Sequence, residues 1–153
     1  MPTIYPLPDS YTTKLKPAQQ GGKLRRIAVS YPVAVLAAGD QIELARVPQD
    51  SYLHRILIAS DDLGGQAKLD VGLRCDHEAL RDCFARQLSV GGSARPLTDI
   101  RFDRQAVTSL NQASADFFSQ EHPVGSPITL YATATHASAN IGHITCLIEY
   151  VTD

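Results

Sequence analysis

From Arg25 onward, apolar and polar residues alternate in short runs, with turn residues about every eight to twelve positions. Such alternation indicates a strand with one buried face, and short strands at this spacing are typical of an all-β sandwich or barrel. The pattern predicts six strands and a short additional one. They are Arg25–Leu36, Gln41–Val47, Tyr52–Ala59, Gln66–Arg74, Ile128–Thr135 and Gly142–Val151, with the short one at Thr98–Phe102.

Some strands carry more specific signals. Pro32 cannot donate to a ladder, so the first strand should be an edge or carry a bulge there. The continuous run from Ile56 to Ile58 predicts a strand covered on both faces. In Gln66–Arg74, by contrast, Asp70 and its polar neighbours should lie on a solvent-exposed face of the sheet. The last two strands are expected to pair as a hairpin through residues 136–141, and the Gly39-Asp40 pair predicts a turn.

The middle of the chain reads differently. Asp76 could cap a helix over Asp76–Leu88, in which apolar residues recur at intervals of three and four. A second helix is expected over Arg104–Phe118. Gly91-Gly92-Ser93 and Pro96 predict a loop between the two. The expected fold is therefore mainly β: an antiparallel β-sandwich with one or two short helical insertions.

Residues 1–24 are expected to form an extended, basic, Pro-rich arm, and residues 25–153 the β-sandwich domain. Four of the nine prolines lie in this arm, and proline favours an open path over local secondary structure. Its apolar side chains are too many for an ordinary linker, which suggests that it is ordered against another protein surface. The alternative is a disordered terminus. The predicted protein-binding residues are Ile4, Tyr5, Leu7, Tyr11, Lys14, Leu15, Lys16, Arg25 and Arg26.

Charge separates the arm from the rest. The 153 residues carry a net charge of −2, which argues against general nucleic-acid binding, but residues 1–39 carry +4 and the remainder −6. The basic arm would suit an acidic protein surface, with nucleic acid as the less favoured target. No apolar stretch is long enough for a membrane span, and no signal peptide is apparent, so we expect a soluble, unsecreted product.

The sequence offers little chemistry. The common hydrolase, nucleotide-binding and metalloprotease motifs are absent, and the spacing of Cys75, His77 and Cys83 does not fit common zinc sites. We expect the three cysteines to be buried, reduced thiols, with one disulfide pair as the alternative. Asp61 and Asp62 could hold calcium but read better as turn residues. We therefore predict no enzyme, no metal and no cofactor.

Several motifs resemble a known group. Residues 36–44 (LAAGDQIEL), 46–48 (RVP), 56–63 (ILIASDDL) and 69–73 (LDVGL) resemble the capsid decoration, or cement, proteins of tailed bacteriophages and their relatives among small head proteins. The closing strand Gly142–Val151 is similar to the last strand of the same group. Residues 75–125 and the Pro-rich arm depart from it.

The resemblance implies a jelly-roll-like β-sandwich that binds the outside of an assembled capsid and stabilises it by bridging subunits. Its partner would be the major capsid protein, and its location the virion surface after synthesis in the host cytoplasm. General frequencies favour a homo-oligomer, such as a dimer or trimer. The alternatives are a neck, tail or baseplate component of the virion, and a β-sandwich module that binds host glycans.

Overall fold

The computed structural model describes residues 2–5, 23–76, 78–100 and 128–152, with the backbone alone for Lys23 and Thr152. These residues form nine strands, and no helix occurs among them. The strands are β1 (Ile4–Tyr5), β2 (Lys23–Val33), β3 (Gln41–Val47), β4 (Tyr52–Ser60), β5 (Lys68–Arg74), β6 (Ala79–Ser89), β7 (Arg95–Asp99), β8 (Ile128–His136) and β9 (Gly142–Thr152).

Two sheets make up the fold. One has five strands in the order β1-β3-β8-β5-β6, and the other has four in the order β2-β9-β4-β7. All neighbouring strands are antiparallel except β1 and β3, which are parallel. Both sheets contribute to one hydrophobic cluster, with Ile42, Leu69 and Leu130 from the first and Ile56 and Ile148 from the second. We call this unit the two-sheet body.

Several sequence predictions are confirmed. Strand β3 has the predicted bounds, Gln41–Val47. Pro32 lies on β2, which is an edge strand, as its missing N–H requires. Residues Ile56, Leu57 and Ile58 are all buried, as the continuous apolar run indicated. The short strand predicted over Thr98–Phe102 lies earlier in the chain, as β7 over Arg95–Asp99, so Pro96 is in a strand and not in the predicted loop.

The predicted hairpin between the last two strands is wrong. Strand β8 lies between β3 and β5 in one sheet, whereas β9 lies between β2 and β4 in the other. The loop that joins them crosses from sheet to sheet, and its backbone is held by hydrogen bonds from Ser138 N to Leu36 O and from Ala139 N to Leu63 O. Alternation shows which face of a strand is buried but does not identify its partner.

The helix predicted over Asp76–Leu88 is also wrong, because this region forms β6. Two irregularities produce the misleading spacing. Leu69 and Val71 on β5 are two residues apart, but their partners on β6, Leu88 and Ala85, are three apart. Leu73 lies two residues beyond Val71, but its partner Leu80 is five residues from Ala85. These bulges shift the inward positions to helix-like intervals. The second predicted helix, Arg104–Phe118, lies outside the described residues.

Asp70 was expected on a solvent-exposed face of the sheet but is buried. Its carboxylate accepts hydrogen bonds from Arg81 Nε at 3.0 Å and from Gln87 N at 2.8 Å, and Gln87 has a φ of 53°. The bulged β6 also passes close to β5, because a Cβ added at Gly72 would lie 1.7 Å from Leu80 O. Asp70 therefore fixes both bulges from within the sheet.

Four loops meet at one end of the two-sheet body: 34–40, 61–67, 90–94 and 137–141. Leu63 N donates to Val90 O, which joins the second loop to the third. Asp62 Oδ1 accepts from Gly64 N and Gly92 N, and Asp61 Oδ2 accepts from His143 N. Asp61 and Asp62 are thus turn residues that bind backbone amides of their own loop, of the loop 90–94 and of the start of β9.

Candidate protein-binding surface

The beginning of the predicted arm lies on the chain's own sheet. Thr3 N donates to Asp40 Oδ1 at 3.0 Å, and Gln41 N donates to Thr3 O at 2.9 Å, which places β1 against β3. Tyr5 is half-buried and packs against the core, whereas Ile4 remains 53% exposed. Of these two predicted binding residues, Ile4 is therefore the one whose side chain faces outward.

The far end of the arm is also attached. Strand β2 begins at Lys23 and pairs with β9 from its first residue, so Arg25 and Arg26 belong to the two-sheet body. In the sequence, residues 6–22 lie between β1 and β2, and we call this segment the connection. The predicted binding residues Leu7, Tyr11, Lys14, Leu15 and Lys16 fall in this connection, outside the described residues.

Arg26 lies in a charged row on the outer face of the four-stranded sheet, with Glu149 at its centre. Its guanidinium donates to Glu149 Oε1 from Nε at 3.2 Å and from Nη2 at 2.6 Å, and Arg55 Nη1 lies 3.9 Å from Glu149 Oε2. The hydrogen bond from Arg26 is the main reason that the pKa of Glu149 is lowered; nearby Arg55 and His54 lower it further. Arg25 is half-buried beside Tyr150, its partner in register.

Sequence reasoning missed an apolar row next to these charges. Leu24 and Tyr52 are the partners of Val151 on its two sides, so the three residues cross the sheet in line. Leu24 is 58% exposed and Tyr52 is 37% exposed. The residues are far apart in sequence, so only the register between strands brings them together. The result is an exposed surface with an apolar row beside a charged one.

The outer face of the five-stranded sheet carries a second polar network. Arg74 donates to Gln41 Oε1 at 2.8 Å and to Glu43 Oε1 at 2.6 Å, and its guanidinium lies 5.3 Å from the centre of the Tyr131 ring. Burial raises the pKa of Tyr131, which the Arg74 charge partly opposes. An open cleft of about 300 Å³ adjoins this network. It is lined by Glu43, Arg46, Arg74, Cys75, Asp76 and Thr129.

The described residues contain no group of three or more side chains suited to hold a metal ion. His77, one of the residues weighed as a zinc ligand, lies outside them. Cys146 is buried in the core, where burial raises the pKa of its thiol to about 12. Among the described residues, no helix is long and apolar enough to cross a membrane.

Comparison with solved structures identifies the fold. The chain is similar to a chain from the capsid of Ralstonia phage GP4, with a TM-score of 0.61 and 15% identity over 99% of both chains. It is also similar to a chain from the cyanophage Pam1 capsid asymmetric unit, with a TM-score of 0.51 and 12% identity over 95% of this chain and 98% of that one. No protein-family model and no curated protein matches the sequence.

Proposed function

We propose that this chain is a structural protein of a tailed-phage virion, which binds the outside of the assembled capsid and stabilises it by bridging capsid subunits. The observation that carries this proposal is the likeness of fold to two chains from phage capsids, which extends over nearly the whole length of all three chains. The motif resemblance in residues 36–73 to capsid decoration proteins points to the same function.

We further infer that the two-sheet body is a jelly-roll β-sandwich. After β1, the chain changes sheet at each strand except between β5 and β6. The hydrogen-bonded loops 34–40, 61–67, 90–94 and 137–141 gather at one end. This path gives two interleaved four-stranded sheets, β2-β9-β4-β7 and β3-β8-β5-β6, as in double-sheet jelly rolls. Strand β1 is then an addition at the edge of the second sheet.

The mechanism of stabilisation would be mass action. A protein that binds the assembled shell but not its free subunits lowers the free energy of the assembled state. Many copies on a symmetric shell turn modest contacts into strong overall binding. No chemical step is needed, so the function is structural and not enzymatic. The partner is the major capsid protein, and we expect the chain to act as a homo-oligomer, such as a dimer or trimer.

The connection 6–22 is proposed as one bridging element. It leaves the body next to the exposed Ile4 and returns at β2 beside Arg25 and Arg26. Its apolar and basic side chains, Leu7, Tyr11, Lys14, Leu15 and Lys16, would contact a neighbouring subunit. A test of the connection must preserve the strands at both of its ends. Deleting the whole segment 1–24 would not do so, because it would also remove β1 and the first residues of β2.

The test uses undecorated shells, by which we mean capsids of the encoding phage purified from a lysate that lacks this chain. Purified chain is mixed with these shells, and bound protein is quantified after sedimentation. We expect saturable binding and a higher melting temperature of the shell. If the chain does not sediment with the shells, or binds without changing their melting temperature, the proposed function is wrong.

A further inference from the structure

Strand β2 is the least protected sheet edge among the described residues. It pairs with β9 through eleven consecutive residue pairs without a register shift. The other long edge strand, β6, has two register shifts, while β7 has five residues and β1 has two. Bulges, short length, charged side chains and prolines are devices by which proteins keep edge strands from pairing with other chains. Strand β2 is long and has no bulge; its basic residues lie at its start, where they would favour an acidic partner, and Pro32 lies near its end.

The position of Pro32 shows which backbone groups of β2 face outward. A proline in an edge strand is accommodated where its missing N–H would face away from the neighbouring strand. Because the direction of hydrogen bonding alternates along a regular strand, Leu24, Arg26, Ala28 and Ser30 share that orientation with Pro32. Their N–H and C=O groups therefore point away from β9, toward the position of an added strand.

The side chains of these same residues are exposed. Leu24, Arg26, Ala28 and Ser30 all have exposed side chains on the outer face of the sheet. Exposure falls across the same face, because Leu147, the partner of Ala28, is half-buried and Leu57 beyond it is only 7% exposed. The outer face is thus covered near the middle of the sheet and open at β2. The side chains of a strand added beside β2 would meet this open surface.

Charge indicates the chemistry of the occupant. The Arg26 and Arg55 side chains are 64% and 45% exposed, whereas the Glu149 carboxylate between them is only 6% exposed. Arg25, also on β2, adds a further positive charge. The accessible charge at this edge is therefore cationic, next to the exposed Leu24. Carboxylates beside apolar residues would complement it.

We propose that β2 is an acceptor edge for an extended acidic segment of the shell-forming protein, which pairs with residues 24–31 and continues the four-stranded sheet. Main-chain hydrogen bonds would supply affinity, and Leu24 and Arg26 would select the side chains of the added strand. This inference rests on the proposed function, since it names the surface through which the chain would bind the shell.

A proline substitution tests the edge. Ala28→Pro removes an outward-facing N–H and places a ring where the added strand would lie, without removing a hydrogen bond to β9. Ala28→Val is the matched control, since it changes the side chain but keeps the N–H. With undecorated shells, we expect Ala28→Pro to weaken binding by at least about tenfold and Ala28→Val to bind within about threefold of the original chain.

A second measurement does not depend on the variant folding. Hydrogen exchange of the unaltered chain should show slower exchange in residues 24–31 when shells are added. Equal binding by both variants, or unchanged exchange in this segment, would overturn the inference while leaving shell binding intact. If the unaltered chain does not bind shells, the proposed function itself fails. If sedimentation velocity shows a dimer that Ala28→Pro dissociates without weakening shell binding, the edge serves a second copy and the inference is wrong.

Discussion

Arg26 on β2 and Glu149 on β9 are opposite each other in register, and two nitrogens of the arginine donate to the same carboxylate oxygen. The residues are 123 positions apart in sequence. The pair joins the start of β2 to the final strand and sets the charge of the surface beside Leu24. It links the stability of the two-sheet body to the surface proposed to bind the shell.

This pair should make stability depend on pH. Because the pKa of Glu149 is lowered in the folded chain, its contribution is present above the ordinary value of 4.5 and is lost as the pH falls through the lowered value. We expect Arg26→Gln to reduce the urea midpoint at pH 7 and to weaken the loss of stability in acid. Arg86→Gln is the control, since Arg86 lies 3.7 Å from Asp82 in an exposed pair. Equal acid sensitivity in the original chain and in Arg26→Gln would contradict this prediction.

Gly72 should tolerate no side chain. A Cβ there would lie 1.7 Å from Leu80 O, a backbone atom of the bulged β6, so the strand itself would have to move. We expect Gly72→Ala to cost at least about 3 kcal/mol of unfolding free energy, or to prevent folding. Gly92→Ala meets open space but has a φ of +85°, so it should cost only about 1 kcal/mol. Chemical denaturation of both variants measures the two losses of unfolding free energy. Similar losses would show that β6 can move to accommodate a Cβ at Gly72.

The buried Asp40 should hold the first strand in place. Its carboxylate accepts hydrogen bonds from Thr3 N and from Ala37 N, both at 3.0 Å. We expect Asp40→Ala to cost about 2 kcal/mol and to speed hydrogen exchange at residues 3–5. Asp50→Ala, in an exposed turn, should leave both quantities unchanged. If residues 3–5 exchange equally fast in all three proteins, β1 does not depend on Asp40.

The three thiols should differ in reactivity. Cys146 is buried with a pKa of about 12, whereas Cys75 and Cys83 are partly exposed. At pH 8, we expect an alkylating reagent to label Cys75 and Cys83 first, and Cys146 only after unfolding in urea, because the thiolate is the reactive form. Mass spectrometry of peptides locates the label. Rapid labelling of Cys146 in the folded chain would be inconsistent with its place in the core.

The connection 6–22 should matter for binding rather than for folding. Replacing Leu7, Tyr11 and Leu15 together by serine keeps β1 and β2 and removes the apolar contacts proposed for the connection. We expect the melting temperature of the isolated chain to change little and its binding to undecorated shells to weaken by at least about tenfold. If the triple variant is less thermally stable but binds shells normally, these side chains contribute to the stability of their own chain, and the prediction is wrong.

Much of the fold is readable from the sequence because burial alternates along each strand. That pattern located Gln41–Val47. The missing N–H of Pro32 separately predicted an edge or a bulge, and β2 is an edge strand. It failed where bulges changed the period, as around Asp70 and Gly72 in the pairing of β5 with β6. It also could not show that β8 and β9 belong to different sheets, because alternation contains no information on the partner strand.

The candidate surface was less accessible to sequence reasoning. Basic residues near the start of β2 were identified, but their neighbour Glu149 and the exposed row of Leu24, Val151 and Tyr52 were not. These groups meet only through the register of three strands. Likewise, Tyr5 was expected to bind another chain, yet it packs against its own core because β1 adds to β3.

The most direct test of the account is the ratio of this chain to the major capsid protein in purified particles of the encoding phage. Quantitative mass spectrometry gives the ratio, and a cryo-electron microscopy map of the shell locates the bound copies. We predict a fixed ratio over the whole shell, with density on the outer surface that bridges neighbouring subunits. A few copies confined to one vertex or to the tail, or none in the particle, would contradict a decorating function.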